Sequence, residues 1–459
     1  MKEKLLVILF VGMIILTGFT ALSSADYNDK KTFEGYILYT PLRSKITYLI
    51  NDKWRVVNTW ESNYSQGLGA HLLENGNLIR SDCPRRPGMP GGGFSGRVEM
   101  FDWGGNLTWE FEYSNELHCL HNDIRPLPNG NILMIAWEVK NKTEAIEGGL
   151  NPDFFSGLVP RLQILEIDHL IEVKPNGTSG GDIVWEWHLW DHLIQDYDPA
   201  KQNYGVVEDH PELVDINYRG IERSAPITSK CDFSHVNSVD FNEEFDQILI
   251  SARNLNEIWI IDHSTTTSEA AGHTGGRYGK GGDLLYRWGN PEAYRAGDKN
   301  DQKLFGQHDA RWIESGLPGE GHITIFNNGF ERRLLFSYSS VEEIVPPVDI
   351  YGYYYLKPGS AYGPEKPIWI YTTIPKFVFY SSFVSGVQRL SSGNTLICSG
   401  SNGIFGLCIF FEVTSEKKIT WMYINPYPTF LLGSIMKFQY YLPDYPGVKD
   451  FRNTRRNTD

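Results

Sequence analysis

The chain lacks the signatures of several large catalytic classes. No H-E-x-x-H pair occurs in its 459 residues, and the one G-x-S-x-G match, at residues 177–181 in "PNGTSGGDIVW", lies in a hairpin turn with no helix pattern after it and not at a strand-to-helix elbow, so neither a zincin nor a serine hydrolase is supported. The glycine run "PGMPGGGFSGR" has no Gly-Lys-[Ser/Thr] ending and no helix pattern after it, which removes the phosphate loop and, with it, the case for a nucleotide-dependent enzyme. Positive charge is in deficit. Lys and Arg number 42 against 56 Asp and Glu, a formal charge of -14, and such a surface does not suit a nucleic-acid backbone. Cysteine is scarce and odd in number, with five residues and no CxxC pair, so a zinc-thiolate site has little support. Cys398 and Cys408 flank "SGSNGIFGL" and are placed to face each other across a hairpin. Beyond the N-terminus no apolar run approaches the length of a membrane span.

The N-terminus itself reads "MKEKLLVILFVGMIILTGFTALSSAD". Lys2 and Lys4 precede an apolar stretch from Leu5 to about Ala21, and Ser23-Ser24-Ala25 supplies small residues for cleavage. This predicts a signal peptide over residues 1–25, or an uncleaved membrane anchor, and in both cases an extracytoplasmic protein. Residues 26–459 are expected to form one domain.

Aromatic residues are plentiful (13 Trp, 25 Tyr, 24 Phe), as is Gly at 45, a composition that favours strands and turns. Two hairpin types alternate along the chain. The first ends in tryptophan: "TYLINDKWRVVNTW" at Trp60, "RVEMFDWGGNLTW" at Trp109, "QILEIDHLIEVKPNGTSGGDIVW" at Trp185, with further copies reaching Trp288, Trp369 and Trp421. The second includes "HLLENGNLI", "IRPLPNGNILMIAW", "SVDFNEEFDQILISAR", "ARWIESGLPGEGHITIF" and "VQRLSSGNTLICSG". Each pair supplies about four strands, and about six pairs occur, which predicts an all-β, six-bladed β-propeller with a few inserted loops or short helices. A tandem of two β-sandwiches is the competing architecture. One blade shows no visible first hairpin, which leaves counts of seven or five blades open. The stretch from Trp185 to Lys230 has no strand pattern, "WDHLIQDYDP" reads as a short helix, and Gly272 to Gly282 is a glycine-rich excursion. Long ordered insertions of this kind usually cover a functional face.

In a propeller the inner strands start near the central axis. Three repeats place a histidine there: His121 with Asp123 in "HNDIRPLPNGN", His235 with Asn237 in "HVNSVDFNEEFDQ", and His308 with Asp309 in "GQHDARWI". Three imidazoles beside Asp123 and Asp309 leave an axial metal open. Arg253 closes "ILISARN", and Asn327, Arg332 and Arg333 lie in or after "IFNNGFE". His, Arg and Asn with few acids suit an anionic ligand, since guanidinium groups bind oxyanions through paired donors.

"HNDIRPLPNGNILMIAWE", "VWEWHLWDHLIQDYDP", "FSHVNSVDFNEEFDQILISARNLNEIWIID", "YRWGNP", "LFGQHDARWI", "IFNNG" and "SGVQRLSSGNTLI" resemble the arylsulfotransferase family over most of the chain after the leader. The resemblance implies a six-bladed propeller that moves a sulfuryl group from a phenolic sulfate ester to a phenol, with no cofactor and no nucleotide sulfate donor. It implies that His235 and His308 support the reaction, that Arg332 binds sulfate, and that Arg333 is the alternative register for that arginine. The family's nucleophile is a histidine in the last blade. Here "FYSSFVSGVQRL" puts Val384 or Ser385 in that place, and no histidine follows His322. His121 is the first substitute nucleophile and His308 the next. Two other readings remain: a binding propeller for a sulfated or anionic aromatic ligand, and a metal-dependent hydrolase or lyase on the same axis. Oligomeric state is not legible.

Overall fold

Tryptophan recurs in this chain because it rivets one sheet to the next. The computed structural model describes residues 33–84, 92–220, 231–332, 336–402, 407–425 and 434–449. The expected leader at 1–25 and Arg333 lie outside the described residues. Six four-stranded antiparallel sheets stand around an axis. Blade 2 runs from its inner strand outward as Ser65–Leu72, Leu78–Cys83, Arg97–Phe101 and Leu107–Glu112. Blade 3 comprises His118–Pro126, Ile132–Asn141, Ile164–Pro175 and Gly181–His188. Blade 4 comprises Val236–Asn242, Gln247–Ala252, Glu257–Asp262 and Tyr286–Trp288. Blade 5 comprises His308–Trp312, Ile323–Asn327, Ser340–Ile344 and Trp369–Tyr371, and blade 6 comprises Gly386–Arg389, Thr395–Asn402, Leu407–Val413 and Ile419–Ile424.

Blade 1 explains the hairpin that the sequence did not show. Its three outer strands, Tyr36–Pro41, Ile46–Asn51 and Val56–Glu61, come from the N-terminal side, while its inner strand, Ile435–Tyr441, comes from the far end of the chain. Tyr36 pairs with Tyr441 and Tyr39 with Phe438. This pairing closes the ring and leaves no open sheet edge at the seam.

The buried apolar residues fall into layers between neighbouring blades. One holds Leu133, Ile167 and Trp187 of blade 3 against Val239, Ile250 and Trp259 of blade 4, and equivalent layers fill the other joints. The outer-strand tryptophans complete these layers, and their indole N–H groups donate to the next blade. Trp60 bonds Asp102 O, Trp109 bonds Gly180 O, Trp288 bonds Pro364 O and Trp369 bonds Ser415 O. Trp185 and Trp187 of blade 3 reach Thr265 and Gly282 in the same way. At the seam, the Trp421 ring packs on Phe33 with centroids 4.7 Å apart.

Inserted structure is slight. Helices span only Lys142–Glu147, Thr267–Ala270 and Pro446–Lys449 among the described residues. The short helix expected in "WDHLIQDYDP" is instead a single 3-10 turn, Leu189–His192, followed by Leu193–Ile194 in parallel pairing with Val214–Asp215. Gln195 holds the chain in this extended path. Its Oε1 accepts from Tyr197 N and Asp198 N, and its Nε2 donates to Asp198 O and Gln202 O. The Cys398 and Cys408 thiols face each other at 3.6 Å, unbonded.

Candidate functional site

The inner strands of blades 3, 4 and 5 each open with a bulge, where extra residues oppose one on the partner strand. The pairing shifts between Leu120 and Ile124 in blade 3, between Val236 and Val239 in blade 4, and between His308 and Arg311 in blade 5. Bulges re-aim side chains. Asn122, His235 and Asp309 take φ of 53°, 49° and 52°, a left-handed conformation in which Asn, Asp and His are the tolerated non-glycine residues. The three histidines sit at slightly different registers. His308 occupies a ladder position opposite Phe326, His235 precedes the matching position, and His121 follows it.

His121 and His235 meet, with ring centroids 5.6 Å apart in an edge-on arrangement. Their hydrogen bonds differ. His121 Nε2 lies 2.6 Å from Asp168 Oδ1, while the Asn122 amide donates to Nδ1 at 2.9 Å. The ring is buried flat on Trp137, with centroids 3.8 Å apart. Both nitrogens are therefore occupied. Burial lowers the pKa of His121, against the pull of Asp168. His308 is occupied in the same way: Nδ1 donates to Asn328 Oδ1 at 2.8 Å and Nε2 accepts from Val384 N at 3.2 Å. Burial, then the charge of Arg253, holds its pKa well below the imidazole range. Val384, at the place of the expected last-blade histidine, is thus a backbone donor to His308, and its side chain packs with Leu68 and Met436.

His235 is different. Its Nδ1 contacts Asp232 Oδ2 at 2.5 Å, and its Nε2 has no hydrogen-bond partner among the described residues. The side chain is 15% exposed, where that of His121 is sealed. Burial first, and Arg253 second, push the His235 pKa down to about 3 against Asp168. Burial and the neighbouring Asp168 push Asp232 well up. Both shifts disfavour a resting ion pair, so the imidazole is neutral. The Nε2 lone pair is available in the state in which Asp232 is ionised and accepts the Nδ1 proton.

Arg253 belongs to this group. Its backbone N–H donates to His235 O at 3.2 Å, and its guanidinium lies over the Phe330 ring at 5.3 Å. Among the described residues its side chain makes one hydrogen bond, Nη1 to Asn254 Oδ1 at 2.9 Å, which leaves donors for an oxyanion. Asn237 is close by in the strand. Its Nδ2 donates to Gln307 O at 2.7 Å, and its buried Oδ1 has no partner.

Other expected site residues are placed elsewhere. Arg332 donates to Ser340 Oγ and Glu342 Oε1 and stacks on Phe305 and Tyr338, which commits it to blade 5 and not to the histidines. Asn327 accepts from Phe305 N and donates to Lys303 O and Glu342. Asp123 and Asp309 plug the axis. Lys437 Nζ reaches Asp123 Oδ2 at 2.5 Å and Asp309 Oδ1 at 3.3 Å, and Arg311 Nε donates to Asp309 Oδ1 at 2.7 Å. Each also takes a backbone N–H from the next blade, Val239 for Asp123 and Val387 for Asp309. Charges this well paired have little to offer an axial metal. Past the plug, the other ends of the inner strands surround a cavity of about 710 Å³ lined by His71, Arg125, Gln388 and Gln439.

Sequence reasoning missed Asp168 and Asp232, which orient two of the three histidines. Asp168 lies inside the twelve-residue strand Ile164–Pro175 and is fully buried. An aspartate amid "ILEIDHLIEV" is itself the signal, because strand interiors disfavour that residue unless it has a partner. The glycine run also has a use. Gly93, at φ 84°, bonds Asn122 N through its carbonyl, and a Cβ there would strike the Asn122 amide that holds His121.

A protein of unknown function from Bacteroides caccae matches with TM-score 0.45 and 10% identity over 88% of this chain and 98% of its own. The periplasmic gluconolactonase PpgL of Pseudomonas aeruginosa matches with TM-score 0.44 and 10% identity over 89% and 99%. The hydrazine synthase of Kuenenia stuttgartiensis matches with TM-score 0.36 and 14% identity over 68% of each chain. No curated protein sequence matches. The family model for arylsulfotransferase (ASST) matches residues 51–344, from blade 1 through the third strand of blade 5, and therefore includes all three axial histidines. The chain belongs to the arylsulfotransferase family.

Proposed function

We propose that this protein transfers a sulfuryl group from an aryl sulfate to a phenol, with His235 as the nucleophile. One observation carries the reading: of the three axial histidines, His235 has the ring nitrogen, Nε2, left without a hydrogen bond among the described residues, beside an arginine with donors to spare. His121 and His308 would have to break buried hydrogen bonds before attacking. In this reading Arg253 holds the sulfate oxygens, and Asp232 fixes the tautomer and steadies positive charge on the ring. Nε2 forms the N–S bond as the S–O bond to the donor phenol breaks. The acceptor oxygen then bonds sulfur and returns the N–S pair to Nε2. The departing phenolate takes up one proton and the incoming phenol gives one up, so the exchange is proton-neutral. Residues 1–25 support work outside the cytoplasm, and N-terminal sequencing of exported protein tests that.

The test is incubation with p-nitrophenyl sulfate, with and without phenol. Phenol-dependent release of nitrophenol supports transfer, and phenol-independent release indicates hydrolysis. A second reading, binding without turnover, draws on Val384 at the usual nucleophile's place. Tight aryl-sulfate binding with no release under either condition would favour it and defeat the transfer reading.

A further inference from the structure

Away from the axis, two histidines and an aspartate meet at the outer junction of blades 3 and 4. We propose that His192, His273 and Asp283 form a binding site for a divalent transition metal of the Zn²⁺ type. The site would lock the turn after the outer strand of blade 3 to the glycine-rich excursion of blade 4.

The ligand atoms lie within 4.8 Å of one another. His192 Nδ1 and His273 Nδ1 each stand 2.8 Å from the same oxygen, Asp283 Oδ1. The other nitrogen of His192 is already committed, 2.8 Å from Ala270 O, an acceptor only. A singly protonated ring must place its proton there, which turns the Nδ1 lone pair toward a carboxylate oxygen. Two acceptors at hydrogen-bond distance need something between them, either a proton held by the ring or the carboxyl group, or a metal ion. The Ala270 carbonyl is also the kind of outer partner that fixes metal-binding imidazoles.

The surroundings hold that geometry. His192 is fully buried, and Trp187 stacks parallel to it with centroids 5.5 Å apart. The Trp187 indole donates to Gly282 O at 2.7 Å. A side chain at Gly282 would meet His192 Nε2 at 2.6 Å and strike Ala270 O, so this position accepts only glycine. His273 is the outer ligand, with a side chain 59% exposed, and it gives the ion a route in from solvent. Two imidazoles and one carboxylate match zinc-like ions better than Ca²⁺ or Mg²⁺, which take all-oxygen sets, and a water completes four-coordination.

The full chain, stripped with chelator and dialysed, is titrated with Zn²⁺ against a competing dye, and its Co²⁺ complex is read by visible absorption. The expected result is one tight equivalent, a tetrahedral Co²⁺ spectrum and a rise in Tm on adding zinc. His273→Ala, at an exposed position, should keep the fold by circular dichroism yet lose the Tm rise. Its affinity should fall by more than the roughly 10–100-fold typical of losing an outer partner. Asp283→Asn should do the same. The absence of tight zinc binding by the wild type would overturn the proposal and assign a proton to that place instead. Equal tight binding by wild type and variants would also overturn it and direct the search to the axial histidines.

Discussion

At the residue scale, what separates the three axial histidines is which of their nitrogens are already bonded. His121 spends its nitrogens on Asp168 and the adjacent Asn122, and His308 on Asn328 and the Val384 N–H, whereas His235 spends one on Asp232. The residue types were legible in the sequence, and the distinction was not: Asp168 lies 47 residues from the His121 it bonds, and Asp232, though only three residues before His235, meets the ring through the path of the folded loop. Asp232→Asn should leave the fold intact and lower kcat on the order of 10²–10⁴-fold, since an amide can set the wrong tautomer. Steady-state kinetics with p-nitrophenyl sulfate measures this. With the His235 pKa lowered to about 3, the acid limb of kcat/KM should lie near that value and not near the ordinary imidazole pKa. A limb near neutral pH would show that another group governs the rate.

At the element scale, blades are joined by few but directional contacts. The Trp-ending hairpins were read correctly as repeats, but their purpose appears only when the indole of one blade meets the carbonyl of the next. Trp109→Phe keeps most of the apolar volume and removes the indole bond to Gly180 O, which keeps the Asn176 N–H at 3.2 Å. It should cost about 0.5–1.5 kcal/mol in urea unfolding, and no change in midpoint would refute the rivet. His263 forms a second joint, bonding Glu172 of blade 3 at 2.8 Å and Asp246 of its own blade at 2.6 Å. Burial alone would lower its pKa, but the bonds to Asp246 and Glu172 prevail and lift it to about 9. A raised pKa stabilises the fold fully below the unfolded imidazole value and loses that stabilisation as pH rises through about 9. The contribution is at most about 3 kcal/mol. The urea midpoint should fall over that alkaline window, and His263→Gln should abolish this part of the fall.

At the scale of the whole molecule, the ring closes by joining the two ends of the chain, and the axis is plugged by Asp123, Asp309, Arg311 and Lys437. Closure explains why one blade looked incomplete in the sequence: its inner strand lies almost 400 residues from the rest, at Ile435–Tyr441 against Tyr36–Pro41. Periodicity finds neighbours in sequence and is blind to such a pair. Asp123 shows the same limit. Its position before an inner strand suggested ligand contact, yet Lys437, from the distant closing strand, takes its charge. Truncation before Ile435 removes the inner strand of blade 1 together with this lysine. The truncated chain should lose its single cooperative unfolding transition in calorimetry, while an unchanged transition would contradict closure as the source of cooperativity.

The central claim is that, of the three axial histidines, His235 presents to an aryl sulfate a ring nitrogen with no hydrogen-bond partner among the described residues. Its most direct test is rapid quenching with p-nitrophenyl sulfate in the absence of phenol, followed by intact-mass and peptide mass spectrometry under alkaline conditions that preserve phosphoramidate-like bonds. The account predicts a single added sulfo group on the peptide containing His235, absent in His235→Ala and retained in His121→Ala. A sulfo group on His121 or His308, or an adduct that persists undiminished in His235→Ala, would contradict it.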